Sequence, residues 1–388
     1  MIKTLIVSTK EIDDIEVAVD EIKSQLTAHS LCANSVGIIA CNYEFLVSGA
    51  MKAICGALPF DVAGTITGSL ATNTESGIFM LSIMILTSDD VVFDIKTTPP
   101  LLDNPFSITE KFTEELISEN PGKASLAFTY IPYIETFSAD QFVDIFSRVS
   151  NEIPCFGVLA LDASDTFDNS YVCVNGEAYH DRAAVISVYG DINPRFLYAT
   201  ISYEKIIHKP SLITKSEGNI LIEVNGHSVE QYFEDLGLNG VRDMQYAMAS
   251  VPFLLDYGDG TPLVSKIFIR QTPEKYAVST GFIPEGAMMY VGVFDKEDVL
   301  LTTGEVINKT LEIGSADNIS GVLMYSCMTR CVSLGSDSMS EFELVKEKLG
   351  NKIPFMVSYS GGEICPLQNF ESKMINRCHN NTFILCIF

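Results

Sequence analysis

The chain of 388 residues carries 50 Asp and Glu against 25 Lys and Arg, a net charge of −25. A surface that acidic repels nucleic-acid phosphates and anionic lipid headgroups, and no run of basic residues offers a local exception. Hydrophobic residues make up 47% and charged residues 19%, which excludes disorder and leaves enough apolar material for two or three domains.

The opening stretch MIKTLIVSTKEIDDIEVAVDEI has an apolar segment too short for an export signal, followed at once by acids. The run GIFMLSIMILTSDDVVF is interrupted by Asp89 and Asp90 and is too short to span a bilayer. No membrane insertion is therefore expected. A cytoplasmic location is, with the ten cysteines present as reduced thiols. Several of them, Cys41, Cys155 and Cys386 among them, sit inside apolar runs, where cysteine acts as a small hydrophobe.

One pattern recurs three times: apolar strand, helix, Ile/Leu-Pro, apolar strand. NSVGIIACNYEF leads through GAMKAICGA to LPFDVAGTITG; KASLAFTYIPY through SADQFVDIFSRVSNE to IPCFGVLALD; ISGVLMYSCMT through SMSEFELVKEKLGNK to IPFMVSYSGGE. The strands are continuous apolar runs, as expected where both faces of a sheet are covered. Phe142, Val143, Ile145, Phe146 and Val149 keep helical spacing, as do Phe342, Val345 and Leu349. Ser138–Gln141 and Ser340–Glu343 read as helix starts, the second close to a capping box. Each proline opens a returning strand, where its missing N–H costs least. A crossover helix between two such strands predicts a parallel βαβ unit.

After the first unit, residues 76–96 read as two strands of a hairpin around Ser88-Asp89-Asp90. After the second, residues 169–190 contain Asn175-Gly176, a strong hairpin signal. The second half opens with GNILIEVNGHSVEQYFEDLGL, read as strand, Asn-Gly turn and a helix capped by Ser228. VSKIFIRQ, KYAVSTGFI and AMMYVGVFD follow as largely antiparallel strands, then the third βαβ unit and a closing strand, NTFILCIF. The predicted fold is α/β in two packed domains, 1–205 and 206–388. The first is a pseudo-duplicated pair of βαβ–hairpin units; the second is a mixed sheet with one βαβ unit.

Polar groups cluster at the ends of the third unit. Arg330 lies just past its first strand and Glu363 just past its second, at corresponding ends, where open α/β sheets bind ligands. A guanidinium there suits a carboxylate; Gly361-Gly362 lets the backbone turn sharply and approach a ligand. The alternative is that Arg330 pairs with an acid of the same protein, Glu363 included. Cys327 and Cys331 form a C-x₃-C pair, but Cys378 and His379 are adjacent and diverge on a strand, so no metal site is expected. Nor is any cofactor: GDGTPL lacks the lysine and helix of a phosphate loop. A thiol hydrolase or transferase would need His379 as the base for Cys327. Tyr325, Tyr359 and Ser360 line the crevice or pack in the core. Strand alternation splits them, Tyr325 sharing a face with Cys327.

The order of four segments resembles the FIST proteins, an intracellular sensory family with N- and C-terminal FIST domains. GNILIEVNGHSVEQYFEDLG resembles the entry to the C-terminal domain. LMYSCMTRC resembles its strand ending in S-C-x-x-R, IPFMVSYSGGEICP its glycine-glutamate turn, and HNNTFILCIF its closing segment. The N-terminal match is looser. LPFDVAGTITGSLA resembles a G-x-[ST]-x-x-G-E turn, with Gly64, Thr65, Thr67 and Gly68 in place and Ser69 where an acid is expected. The resemblance implies a sensor that binds a small polar ligand, an amino acid or derivative, and passes the signal to an attached output domain; no kinase, cyclase, chemotaxis or F-box segment is read in this sequence, so the output is expected through a separate protein. The resemblance also implies the pocket role for Arg330. The expected ligand-binding residues are Tyr325, Cys327, Arg330, Tyr359, Gly361, Gly362 and Glu363, with Arg330 on an anionic group and Glu363 on a cationic one. The competing readings are the Cys327 enzyme and a ligand-free scaffold held by Arg330–Glu363.

Overall fold

The computed structural model describes residues 2–119, 122–161, 169–207, 209–238, 251–314 and 318–388. Asp162, at the end of the second unit, and His208 lie outside these. All three βαβ units form with parallel strand pairs. Asn34–Cys41 pairs with Val62–Ile66, Leu126–Ile131 with Cys155–Leu159, and Val322–Cys327 with Phe355–Ser360. In the two N-terminal units the returning strand carries a glycine at its third position. An added Cβ at Gly64 would lie 1.8 Å from the Ile39 carbonyl oxygen, and one at Gly157 1.8 Å from that of Thr129. The same close strand approach in both copies is the structural trace of the pseudo-duplication.

Helices start largely as their sequences dictate. Ser138 caps Ala139–Val149 in a full capping box with Gln141, and Ser228 caps Val229–Asp235. The third unit departs from expectation. Ser340 is already helical in Ser340–Leu349, the N-cap is Met339, and there is no side-chain cap. An extra helix, Met328–Leu334, precedes it, with Cys327 at its N-cap.

Among the described residues the strands form four sheets. In sheet one Lys3–Thr9, Leu81–Ser88, Asn34–Cys41, Val62–Ile66, Val172–Val174 and Glu177–Tyr179 lie side by side. Asn175 and Gly176 make its tight turn with φ of 50° and 84°. The expected 76–96 hairpin does not form. Leu81–Ser88 has both edges taken, by Lys3–Thr9 and Asn34–Cys41, so Val92–Thr97 crosses to sheet two and pairs with Ala184–Tyr189. The Ser88 hydroxyl accepts the N–H groups of Asp90 and Val91 at that corner.

Sheets two and three each combine strands from both halves. Gly362–Gln368 extends sheet two beside Cys155–Leu159, with Met374–His379 outside it. In sheet three Arg195–Ala199 pairs with the closing strand Phe383–Ile387, and Leu70–Thr72 with Phe355–Ser360. The inner faces of the first three sheets converge on one core, which includes Met84, Phe128, Phe156, Tyr325 and Ile384. Each outer face is covered by helices: Ile15–Thr27 and Ala50–Gly56 on sheet one, Pro105–Glu119 and Ala139–Val149 on sheet two, Lys296–Ile313 and Ser340–Leu349 on sheet three. Covering on both sides explains the continuous apolar strands. Sheet four, whose strands lie within 211–228 and 253–291, is antiparallel throughout among the described residues and packs its own core around Phe233, Phe253 and Phe268. No helix among the described residues is long and apolar enough to cross a membrane.

Candidate functional site

The third unit ends its two parallel strands side by side, Cys327 opposite Ser360. Alternation then sorts the side chains. Tyr325 and Cys327 face the inner core and sheet two; Ser326 and Tyr359 face the helices. Tyr325 is buried, with its hydroxyl 3.3 Å from that of Tyr130 and its ring 5.7 Å from Phe156. Tyr359 stacks on Phe342 at 4.4 Å and donates to the Ser338 carbonyl at 2.8 Å. These tyrosines therefore lie on opposite faces of sheet three, each engaged by the protein itself.

Arg330 is wholly buried, and its partner is Glu341, not Glu363. Nε donates to Glu341 Oε1 at 2.9 Å, and Nη2 lies 2.8 Å from the same oxygen. Nη2 also reaches the Val299 carbonyl at 3.0 Å and the Thr303 hydroxyl at 2.7 Å. The guanidinium carbon sits 5.2 Å from the centre of the Phe294 ring. Glu341 accepts further hydrogen bonds from Thr303 and Ser326, each at 2.6 Å. Only Nη1 of Arg330 has no hydrogen-bond partner among the described residues. The sequence reading missed Glu341, yet a signal existed. Residues 341, 345 and 349 share one helix stripe at i, i+4 spacing, so an acid there faces inward with Val345 and Leu349.

Among the described residues, no basic side chain lies at hydrogen-bond distance from Glu363. Ser360 donates to Oε1 and Thr382 to Oε2, both at 2.7 Å. Burial pushes its carboxyl up to about 8, against the downward pull of those hydroxyls and of Arg330. The glycines before it lie close to the protein's own atoms. An added Cβ on Gly361 would meet the Ala160 carbonyl at 3.1 Å, and one on Gly362 the Asn380 side chain at 3.2 Å.

Cys327 lies beside Glu363. Burial, then that carboxylate, pushes its thiol up to about 12, the reverse of nucleophile activation. His379 sits across the strand pair from Glu363, but its Nε2 faces the Cys365 carbonyl and its ring stacks on Tyr198. Burial, then Lys266, holds the imidazole down at about 3. Among the described residues His379 makes its contacts to the Cys365 carbonyl and Tyr198 rather than a hydrogen bond to Cys327. Among the described residues no group of three or more His, Cys, Asp or Glu is placed to hold a metal.

The turn His379–Thr382 joins the site to sheet four. Asn380 donates its backbone N–H to the Ser265 carbonyl at 2.9 Å and accepts from Thr280 at 2.9 Å. Asn381 accepts from Thr329 and reaches the Ser265 hydroxyl. Beside it the buried Lys266 ammonium donates to Asp140 at 2.7 Å and to the Cys378 carbonyl at 2.9 Å. Asp140 takes a further N–H from Phe282 at 2.9 Å. The N-terminal turn Gly64–Ser69 is stitched to the same region: Thr67 donates to the Tyr359 carbonyl at 2.8 Å, and Tyr359 donates its N–H to the Ser69 carbonyl.

Comparison with curated proteins found no match. Comparison with family models matched a FIST N domain over residues 35–227 and a FIST C domain over residues 228–366. The second match takes in Cys327, Arg330, Glu341 and Glu363, and the first takes in the Gly64–Ser69 turn. The chain therefore belongs to the FIST family, whose domains are associated with signal-transduction sensing.

Proposed function

We propose that the protein is a sensor in which Glu363 receives the ammonium group of a small polar ligand, an amino acid or derivative, and that a separate protein carries the output. One observation supports this above all. Glu363 is a fully buried carboxyl with hydroxyl donors and, among the described residues, no basic partner at hydrogen-bond distance, at the carboxyl ends of the parallel strands. Burial makes ionising such a group without a counter-charge costly and holds its carboxyl at about 8, so an arriving ammonium would supply the missing counter-charge and draw it into the ionised form; such perturbed groups concentrate at functional sites. Arg330 enters the proposal mainly as the post that holds the strand end, with Nη1 left for an anionic group.

The moving part in this reading is sheet four. Closing one half of the chain on the other would break the ladders the halves share in sheets two and three. Sheet four meets the site through side chains and the 379–382 turn, contacts that a ligand beside Glu363 can loosen or tighten.

A thermal-shift panel of amino acids, amines and carboxylates tests the reading on wild type and on Glu363→Gln. A ligand at a hundred times its Kd adds about 2.7 kcal/mol. A shift seen in wild type and lost in a well-folded Glu363→Gln protein supports the site. No shift with any compound, while Arg330→Ala is merely less stable, returns the site to a scaffold.

A further inference from the structure

A second recess lies on the outer face of sheet four, away from Glu363. On strand Phe253–Asp256 the side chains alternate. Phe253 and Leu255 enter the sheet's core, while Leu254 and Asp256 face outward. Tyr290 is the cross-strand partner of Leu254, so it stands on the same outer face. Together with Ile201 and Leu263 these residues floor a cavity of about 600 Å³, a volume suited to a small organic molecule.

Two aromatic rings rise at its mouth. Tyr203 is 73% exposed and Phe370 is 93% exposed, an unusual position for large rings unless something covers them. Phe370 is held there rather than loose. Its N–H donates to the Gly260 carbonyl at 3.2 Å, and Gly260, at φ +78°, leaves room for the ring where an added Cβ would lie 3.0 Å from it. Tyr203, Asp256 and Tyr290 all line this one cavity, and the Tyr290 phenol is raised above its usual range by burial, then by Tyr203 and Asp256.

Charge narrows the ligand. Asp256 is the only charged residue among the described residues lining this cavity, so no described lysine or arginine lines it. Asp256 Oδ1 accepts the Gly258 N–H at 2.8 Å, which fixes the carboxylate against the sheet. Aromatic faces and a carboxylate both attract cations, and the surrounding net charge of −25 adds to that field. An anion meets none of these attractions.

We propose that this cavity binds a small organic cation, an alkyl- or aryl-ammonium compound whose charge meets Asp256 while its body lies against Tyr203, Tyr290 and Phe370. The site is separate from Glu363 and does not depend on the function proposed there.

The test is calorimetric titration of the full chain with benzyltrimethylammonium, using benzyl alcohol and benzoate as neutral and anionic controls. Asp256→Asn keeps the acceptor for Gly258 while removing the charge, and Phe370→Ser alters a surface ring, so both variants should fold. The cation should bind wild type, about three- to fivefold more weakly to each variant, and equally to wild type and Glu363→Gln. Benzoate should not bind. The proposal is overturned by benzyl alcohol binding as tightly as the cation, by full affinity in Asp256→Asn, by a loss confined to Glu363→Gln, or by no binding at millimolar concentration.

Discussion

Replacing Glu341 by Leu should be among the most damaging single changes in the chain. It leaves the Arg330 guanidinium fully buried with no counter-charge and strands the Ser326 and Thr303 hydroxyls that Glu341 accepted. Removing one partner of a buried pair costs about 3–5 kcal/mol. With an unfolding entropy of about 2.1 cal/mol/K per residue, a chain of 388 residues unfolding as one unit loses stability at about 0.8 kcal/mol/K, so Tm should fall by about 4–6 °C. Arg330→Met should do comparable damage by leaving the carboxylate alone. The double variant Arg330→Met/Glu341→Leu removes both charges and should recover at least half of the single-variant loss. Urea denaturation and calorimetry on all four proteins complete the cycle. Single variants within about 1 kcal/mol of wild type, or a double variant equal to the sum of the two losses, would refute a buried, coupled ion pair.

The remaining expectations concern titration, thiol reactivity and the sheet-four contact. Glu363 ionises near its ordinary 4.5 in the unfolded chain and at about 8 in the fold. Its contribution is thus fully present below about 4.5 and lost as pH rises through 8; wild type should weaken relative to Glu363→Gln across that window in pH-dependent urea melts. His379 has the opposite sign: held at about 3 against an ordinary 6.5, it contributes stability that is lost as pH falls through that interval. His379→Gln should flatten this acid limb, and an unchanged limb counts against a neutral buried ring. Native protein treated with iodoacetamide at neutral pH should label the partly exposed Cys32 well before the buried Cys327, read by mass spectrometry; fast labelling of Cys327 that disappears in His379→Gln would revive the thiol-enzyme reading. Lys266→Met leaves Asp140 with the Phe282 N–H and should speed hydrogen exchange around 264–266 and 280–282. Unchanged exchange there would show that the ion pair does not hold sheet four to the site.

Most local chemistry that closed on itself within a few residues was readable, Ser340 at the third unit's helix being the exception. Asn175-Gly176 and Asn225-Gly226 turn with positive φ because those residue types tolerate it. Ser138 and Ser228 cap their helices because a short hydroxyl reaches the N–H three residues on. The paired apolar runs around each crossover helix were enough to place three parallel units. By contrast, the 76–96 hairpin failed because an apolar run reports that its faces are covered, not which strand lies at its edges. In the site, Arg330, Cys327 and Glu363 were singled out at the strand ends, but Glu341 went unnoticed as the partner of the arginine.

What the sequence alone determined is the βαβ units, the turns and caps, and the clustering of polar residues at the carboxyl ends of the third unit, all set by interactions between near neighbours. Only the tertiary structure decided that the two halves share sheets two and three and that Arg330 joins Glu341. It also decided that Glu363 is left with hydroxyls and that the His379 ring nitrogen faces the Cys365 carbonyl. The physical reason is that strand neighbours and buried charge partners are chosen by packing between distant segments. Many pairings satisfy the same apolar pattern, and only the assembled core shows which edges and which buried acids remain available.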